Sequence, residues 1–92
     1  PFDAWRVGAL DIPVRIFDIS SGGCFVNSVH QQAPGREVTL KIELPLEEPI
    51  SVRAITLDQW SELGYAVRFV AIEPGDADRF ERALTRLAAG AD

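Results

Sequence analysis

Cysteine, histidine and methionine are almost absent from this chain. Its 92 residues contain one cysteine, one histidine and no methionine. A single thiol, Cys24, cannot form an internal disulfide, and His30 as the lone imidazole gives no set of metal ligands. The sequence therefore predicts no metal site and no resident cofactor. It predicts that Cys24 is a small residue in the hydrophobic core.

Long apolar runs are also missing. A helix that crosses a bilayer needs about 20 consecutive, mostly apolar residues, and no segment approaches that length. No cleavable signal peptide is visible either. We therefore expect no membrane span and a cytoplasmic location. Because the chain starts at Pro1 and lacks methionine, we expect residues 1–92 to be a single domain from a longer polypeptide.

Positive charge is scarce. Nine basic against fourteen acidic residues give a formal net charge of -5. Surfaces that bind nucleic acid usually carry a basic face, so the composition argues against a nucleic-acid partner. A small anionic ligand remains compatible, because the local charge of a pocket decides its binding.

Alternating apolar residues predict β-strands over most of the chain. The clearest alternation places Val38, Leu40, Ile42 and Leu44 on one face of an extended segment. Similar runs cover residues 14–19, 24–26, 50–57 and 64–70. Short polar turns between the runs favour antiparallel neighbours, and closure of the sheet would remove exposed edges.

After Asp76 the apolar period changes to that of a helix. Its apolar stripe consists of Phe80, Ala83, Leu84, Leu87 and Ala88. Five or six strands followed by one amphipathic helix predict a mainly β domain, a small antiparallel β-barrel with a C-terminal α-helix.

One short segment, Asp18-Ile19-Ser20-Ser21-Gly22-Gly23, combines polar groups with glycine between two strand-like runs. On an extended backbone, Asp18 and Ser20 would project to the same face. Their carboxylate and hydroxyl could then bind the edge of a guanine or a guanidinium, while Gly23 would allow a sharp turn or a close approach. The alternative is a turn in which both side chains bond neighbouring backbone amides.

This Asp-x-Ser-x-x-Gly segment resembles the ligand motif of the PilZ domain family. The resemblance extends to the strand ending in Leu44-Pro45 and to the strand at residues 64–69 before the helix. It implies a six-stranded barrel that binds the bacterial second messenger cyclic di-GMP. It also implies that Asp18, Ser20 and Gly23 line the wall that faces guanine.

The family's second ligand motif is a pair of arginines in the pattern R-x-x-x-R upstream of the Asp. No such pair precedes Asp18, and Arg6 is the one candidate for a ligand contact. The resemblance therefore implies arginines located before Pro1. Because a hydrogen bond to a charged group contributes about 1.5–3 kcal/mol, losing two of them would weaken binding by about 10²–10⁴-fold.

Other polar groups have ordinary explanations. Glu47 and Glu48 lie between prolines and are expected in a solvated turn. Solvated surface is also expected for the helix arginines, which are Arg79, Arg82 and Arg86. No nucleophile–base pair appears, so the sequence predicts a protein that is not an enzyme.

Two functions stay open at this point. The first is a regulatory module that senses cyclic di-GMP and moves an attached domain. The second is an adaptor of similar fold that binds a protein partner without a nucleotide. The adaptor would use an exposed apolar patch around Trp60, which is expected near a hairpin tip.

Overall fold

Six antiparallel strands close into a barrel, and one helix follows them. The computed structural model describes residues 2–89, apart from the side chains of residues 59, 60 and 89. Its elements are β1 (Phe2–Val7), β2 (Ile12–Phe17), β3 (Gly23–Asn27), β4 (Glu37–Ile42), β5 (Ile50–Ser61), β6 (Gly64–Ile72) and α1 (Pro74–Ala89). The strand order around the barrel is β1-β2-β3-β6-β5-β4. The predicted mainly β architecture is confirmed.

The barrel core follows the period-two pattern of the strands. Among the largest fully buried side chains are Ile16, Val26, Leu40, Ile42 and Tyr65. Each belongs to the inward-facing set of its strand, while the residues between them face outward. Cys24 is buried in the same core, and burial raises the pKa of its thiol to about 12. The predicted core role of Cys24 is confirmed, and its thiol is inert at neutral pH.

Strand β1 is the element that the apolar pattern does not predict. Ala4 is buried inside the barrel, and Arg6 has the same strand parity. Trp5 takes the opposite parity and pairs with Pro13 and Lys41 on the flanking strands. The inward-facing side of β1 therefore includes a cation, and its outward-facing side includes an aromatic ring. Hydrophobic alternation consequently does not identify this strand.

The two ends of the barrel differ in what covers them. The helical end carries α1, the start of β1 and the connection at residues 18–22. The distal end carries the connections at residues 8–11 and 28–36 and the β5–β6 turn at residues 62–63. Hydrogen bonds tie these distal connections together: the Ser28 amide donates to the Leu63 carbonyl at 3.0 Å, and the Gln31 side chain donates to the Ser61 carbonyl at 2.8 Å.

Helix α1 is fixed to the helical end by apolar packing. Phe80 and Ala83 are buried, and Leu84 packs against the barrel core. The rings of Phe80 and Phe69 lie edge to face, with centroids 5.7 Å apart. Among the described residues, no helix has the length and apolar character needed to cross a bilayer.

Polar contacts add to this attachment, and they correct one expectation. Glu47 accepts hydrogen bonds from Arg82 and Arg86, and its side chain is only 9% exposed. Arg79 donates to the Glu48 carbonyl at 3.0 Å and pairs with Asp76. The prediction of a solvated turn and a solvated arginine flank is wrong for Glu47, because the β4–β5 connection folds against the helix, whereas Glu48 and Arg82 are exposed as predicted.

These contacts predict that the domain loses stability in acid. The Arg86 hydrogen bond holds the pKa of Glu47 below its usual value, and the Ser51 amide does the same for the pKa of Asp76. A carboxyl whose pKa is lower in the folded state stabilises the protein above its unfolded pKa. That contribution disappears as the pH falls through the folded pKa. We expect the free energy of unfolding to start falling at about pH 5 and to fall further at lower pH.

Urea unfolding at a series of pH values between about 7 and 3 would measure this effect. Glu47→Gln is expected to be less stable than the parent at neutral pH and to lose less stability on acidification. The exposed Glu43→Gln is the control, because Glu43 lies just after β4 and outside these contacts. An acid dependence of Glu47→Gln equal to that of the parent would contradict a role for this carboxylate.

Candidate functional site

The connection between β2 and β3 lies at the helical end and is held by backbone contacts. The Ser20 amide donates to the Gly23 carbonyl at 2.9 Å, and the Phe69 amide donates to the Gly22 carbonyl at 2.8 Å. The connection is therefore joined to β6 as well as to the strands that it links. These backbone hydrogen bonds hold the connection in place, so its polar side chains have a fixed point of attachment.

Asp18 lies outside β2, which ends at Phe17. Its backbone is left-handed, with φ of 53°, a conformation that Asp tolerates better than most residues. The prediction that Asp18 continues an extended strand and shares a strand face with Ser20 is therefore wrong. The Asp18 side chain is nevertheless exposed, so its carboxylate oxygens are open to a ligand at the rim.

Ser20 contributes to the turn and remains exposed. Its hydroxyl accepts a hydrogen bond from the Gly22 amide at 3.2 Å and is 3.4 Å from the Gly23 carbonyl oxygen, toward which it can donate a weak bond. A hydroxyl has two acceptor lone pairs, so one is left for a ligand. The sequence left open whether Ser20 stabilises a turn or binds a ligand. The structure allows the Ser20 hydroxyl to do both.

Gly23 is required by the barrel itself. It pairs with Arg68 of β6, and a Cβ added to it would lie 2.2 Å from the Val67 carbonyl oxygen. At Gly22 an added Cβ would meet no atom within 4 Å. The close approach expected at Gly23 is therefore made by β6. This observation explains the glycine without any ligand.

An open groove of about 610 Å³ lies beside this connection. Its apolar lining includes Phe2, Ile19, Leu84 and Leu87, and Ser20 stands at its polar edge. This size falls within the usual range for small-molecule sites. Helix α1 supplies one side of the groove, so the docking of the helix shapes the surroundings of Ser20.

The outer wall of the barrel next to the connection carries two aromatic rings and a cation. Phe17 and Phe25 are paired across β2 and β3, are half-buried and face outward. Arg68 is exposed on β6 directly beside Gly23. Sequence reasoning did not select these three residues. The sequence signal that could have identified them is their position on the outward-facing side of each strand, at alternate residues.

Arg6 is not brought together with Asp18 and Ser20. Phe2 pairs with Ile16 near the helical end, whereas Arg6 pairs with Ile12 at the other end of the same hairpin. Four residues of extended strand separate the two ends by about 13 Å. The one basic residue that the sequence proposed for the site therefore lies toward the distal end of the barrel.

The described residues contain no grouping of three or more His, Cys, Asp or Glu side chains that could hold a metal ion. What the site offers is a carboxylate and a hydroxyl at the rim, an aromatic pair on the wall and one guanidinium. Those groups suit recognition of a planar, hydrogen-bonding ligand with negative charge.

Comparison with known proteins gives one match. A family model described as PilZ domain matches residues 4–88. No curated protein and no solved structure matches the chain.

Proposed function

The chain belongs to the PilZ domain family, and on that premise we propose that it is a non-enzymatic regulatory module that binds cyclic di-GMP. The observation that carries this proposal is the exposure of both Asp18 and Ser20 at one rim of a rigid barrel. PilZ domains are typically associated with cyclic di-GMP, and these two side chains match the polar positions of the family motif.

The proposed contacts follow from the chemistry of guanine. The Asp18 carboxylate accepts two hydrogen bonds from the donor edge of the base, and the Ser20 hydroxyl adds a third contact. Phe17 and Phe25 offer an apolar face against which a base can stack. Gly23 keeps the wall free of a side chain at this point.

The phosphates of the ligand need cations. Arg68 supplies one beside Gly23, and we propose that arginines from a segment preceding Pro1 in a longer chain supply the others. Such a segment would become ordered around the ligand. Its ordering would bias the position of an attached domain, because the ligand stabilises only the ordered state.

Calorimetric titration of cyclic di-GMP into a longer protein that includes the upstream segment tests the proposal. Asp18→Asn is the sharpest variant, since asparagine also tolerates the left-handed backbone but carries no charge. We expect its Kd to rise by about 10–100-fold, which corresponds to the loss of one charged hydrogen bond. Ser20→Ala is expected to weaken binding less.

The matched control is Asp11→Asn, an exposed aspartate at the distal end. It is expected to bind cyclic di-GMP like the parent protein. Absence of binding by the longer parent protein would overturn the proposal. Equal affinity of Asp18→Asn and Asp11→Asn would overturn the role given to Asp18.

A second candidate function is that of a protein adaptor, and one observation favours it. Leu10, Val29 and Leu63 are exposed side chains on three neighbouring connections of the distal end. The patch expected around Trp60 falls partly outside the described residues, because the Trp60 side chain is one of those not described. Leu63 belongs to the same β5–β6 hairpin and is 65% exposed.

A further inference from the structure

Three aliphatic side chains are exposed at the distal end of the barrel, each on a different connection. Leu10 is 80% exposed, Val29 is 90% exposed and Leu63 is 65% exposed. A single exposed aliphatic side chain is ordinary on a protein surface, whereas several that lie together mark an interaction site. Their significance therefore depends on whether they share one surface.

Backbone contacts and strand register bring the three connections together. The Ser28 amide donates to the Leu63 carbonyl at 3.0 Å, so Val29 directly follows a residue that is bonded to the β5–β6 turn. Val29 also lines a groove of about 390 Å³ together with Ile12, the first residue of β2. Leu10 lies two residues before Ile12. The exposed side chains of Leu10, Val29 and Leu63 therefore form one surface, the distal patch.

Carboxylates adjoin the distal patch. Asp11 and Glu62 are exposed and are the immediate chain neighbours of Leu10 and Leu63, and Asp58 is exposed on β5. In the described part of the chain, none of these three carboxylates takes part in an ion pair. The carboxylates that do are those of Asp3, Glu37, Glu47 and Asp76.

The cations of the same end do not balance these carboxylates. Arg36 is exposed at the end of the connection at residues 28–36, and Arg6 is half-buried on the inward-facing parity of β1. His30 is neutral at pH 7. The three exposed carboxylates therefore outnumber the cations, of which one is exposed. An apolar patch with acidic surroundings attracts a basic partner and repels nucleic acid or an anionic lipid surface.

The shape of the distal end favours a protein segment over a small molecule. The groove beside Val29 and a second groove at residues 31–34 are open and shallow, whereas small-molecule sites enclose most of their ligand. The strands close into a barrel, which leaves little free edge for an extended peptide to join. An amphipathic helix needs no free strand edge, because its aliphatic side chains at i, i+3, i+4 and i+7 make the contacts.

We propose that the distal patch is a docking site for a basic amphipathic helix of a protein partner. The aliphatic face of that helix contacts Leu10, Val29 and Leu63, and its Lys or Arg side chains lie opposite the three carboxylates at the rim. This inference rests on the adaptor role and gives it a partner of stated chemistry. It does not depend on nucleotide binding, since Asp18 lies at the opposite end of the barrel.

Two capped peptides test the proposal. Both carry leucines at i, i+3, i+4 and i+7, and the flanking positions are lysines in one peptide and glutamates in the other. Each would be titrated into the 15N-labelled protein and followed by amide chemical shifts. We expect the lysine peptide to shift the amides of Leu10, Val29 and Leu63 and to bind about 10-fold more tightly than the glutamate peptide.

Asp11→Asn combined with Glu62→Gln tests the contribution of the carboxylates. This double variant is expected to bind the lysine peptide about 3–10-fold more weakly than the parent. Because the whole protein is negatively charged, the control must remove the same charge elsewhere. Glu43→Gln combined with Glu81→Gln does so at exposed positions toward the helical end, and it is expected to bind like the parent.

Leu63→Asn tests the apolar contact and is expected to weaken binding of the lysine peptide about 10-fold. Leu46→Asn is the matched control, because Leu46 is also an exposed leucine but lies in the β4–β5 connection at the helical end. It is expected to bind like the parent. Dispersed amide spectra would show that each variant is folded.

Equal affinity for the two peptides, or absence of binding by both, would overturn the inference. So would shifts centred away from the distal patch, or equal binding by either test variant and its control. The titrations contain no cyclic di-GMP. Failure of the peptide experiment and failure of the nucleotide experiment can therefore be told apart.

Discussion

Replacing Gly23 by alanine is expected to destabilise the domain by about 3 kcal/mol or more. The new methyl group would lie 2.2 Å from the Val67 carbonyl oxygen, far inside van der Waals contact. A backbone oxygen in the β3–β6 ladder cannot move aside without breaking strand pairs. For a domain of this size, whose total stability is about 5–14 kcal/mol, such a loss is large.

The neighbouring glycine provides the control. Gly22→Ala meets open space and is expected to change the free energy of unfolding by no more than about 0.5 kcal/mol. Urea unfolding of the two variants and the parent would measure both effects. Equal stability of Gly23→Ala and Gly22→Ala would show that β6 does not need the glycine.

This result would also change how the motif is tested. If Gly23→Ala is partly unfolded, its failure to bind cyclic di-GMP would say nothing about a ligand contact at Gly23. Asp18 and Ser20 are exposed, so their variants report on binding with less effect on folding. Variants of Asp18 and Ser20, rather than of Gly23, are therefore the ones that test ligand binding.

Phe80→Ala is expected to cost about 3–5 kcal/mol. Phe80 is 3% exposed and forms the edge-to-face contact with Phe69 that joins the helix to the barrel. Removing the ring leaves a cavity between α1 and β6. The groove beside Ser20 would lose its fixed wall, since Leu84 and Leu87 come from the same helix.

Thermal unfolding combined with amide spectra would test this prediction. Glu81→Ala is the matched control, because Glu81 is exposed on the same helix. We expect a much lower Tm in Phe80→Ala alone, together with shifts at Ile19 and Ser20. A Tm like that of the control would mean that the helix is held by its ion pairs rather than by this ring.

The barrel was predictable because strand patterning is local. The alternation through Val38, Leu40 and Ile42 predicts β4 and its buried face without any tertiary information. The helix stripe that includes Phe80 and Ala83 was equally clear, and both residues are buried. Strand β1 was missed because Arg6 takes the inward parity there, against the rule that inward residues are apolar.

The candidate site was predictable only in part. The spacing of Asp18 and Ser20 identified the connection, but it did not reveal that the chain leaves the strand at Phe17. No spacing along the chain could show that Gly23 faces β6, because Val67 is more than forty residues away in sequence. The Phe17–Phe25 pair depends in the same way on the register of two strands.

The sequence by itself determined the strand faces, the helix stripe and the family motif, because each is a pattern among residues close together in the chain. Only the tertiary structure decided that Gly23 serves β6, that Glu47 binds the helix arginines and that Arg6 lies at the opposite end from Asp18. The physical reason is that barrel closure sets these neighbours. Closure depends on the register of all six strands together, and local patterns do not contain that register.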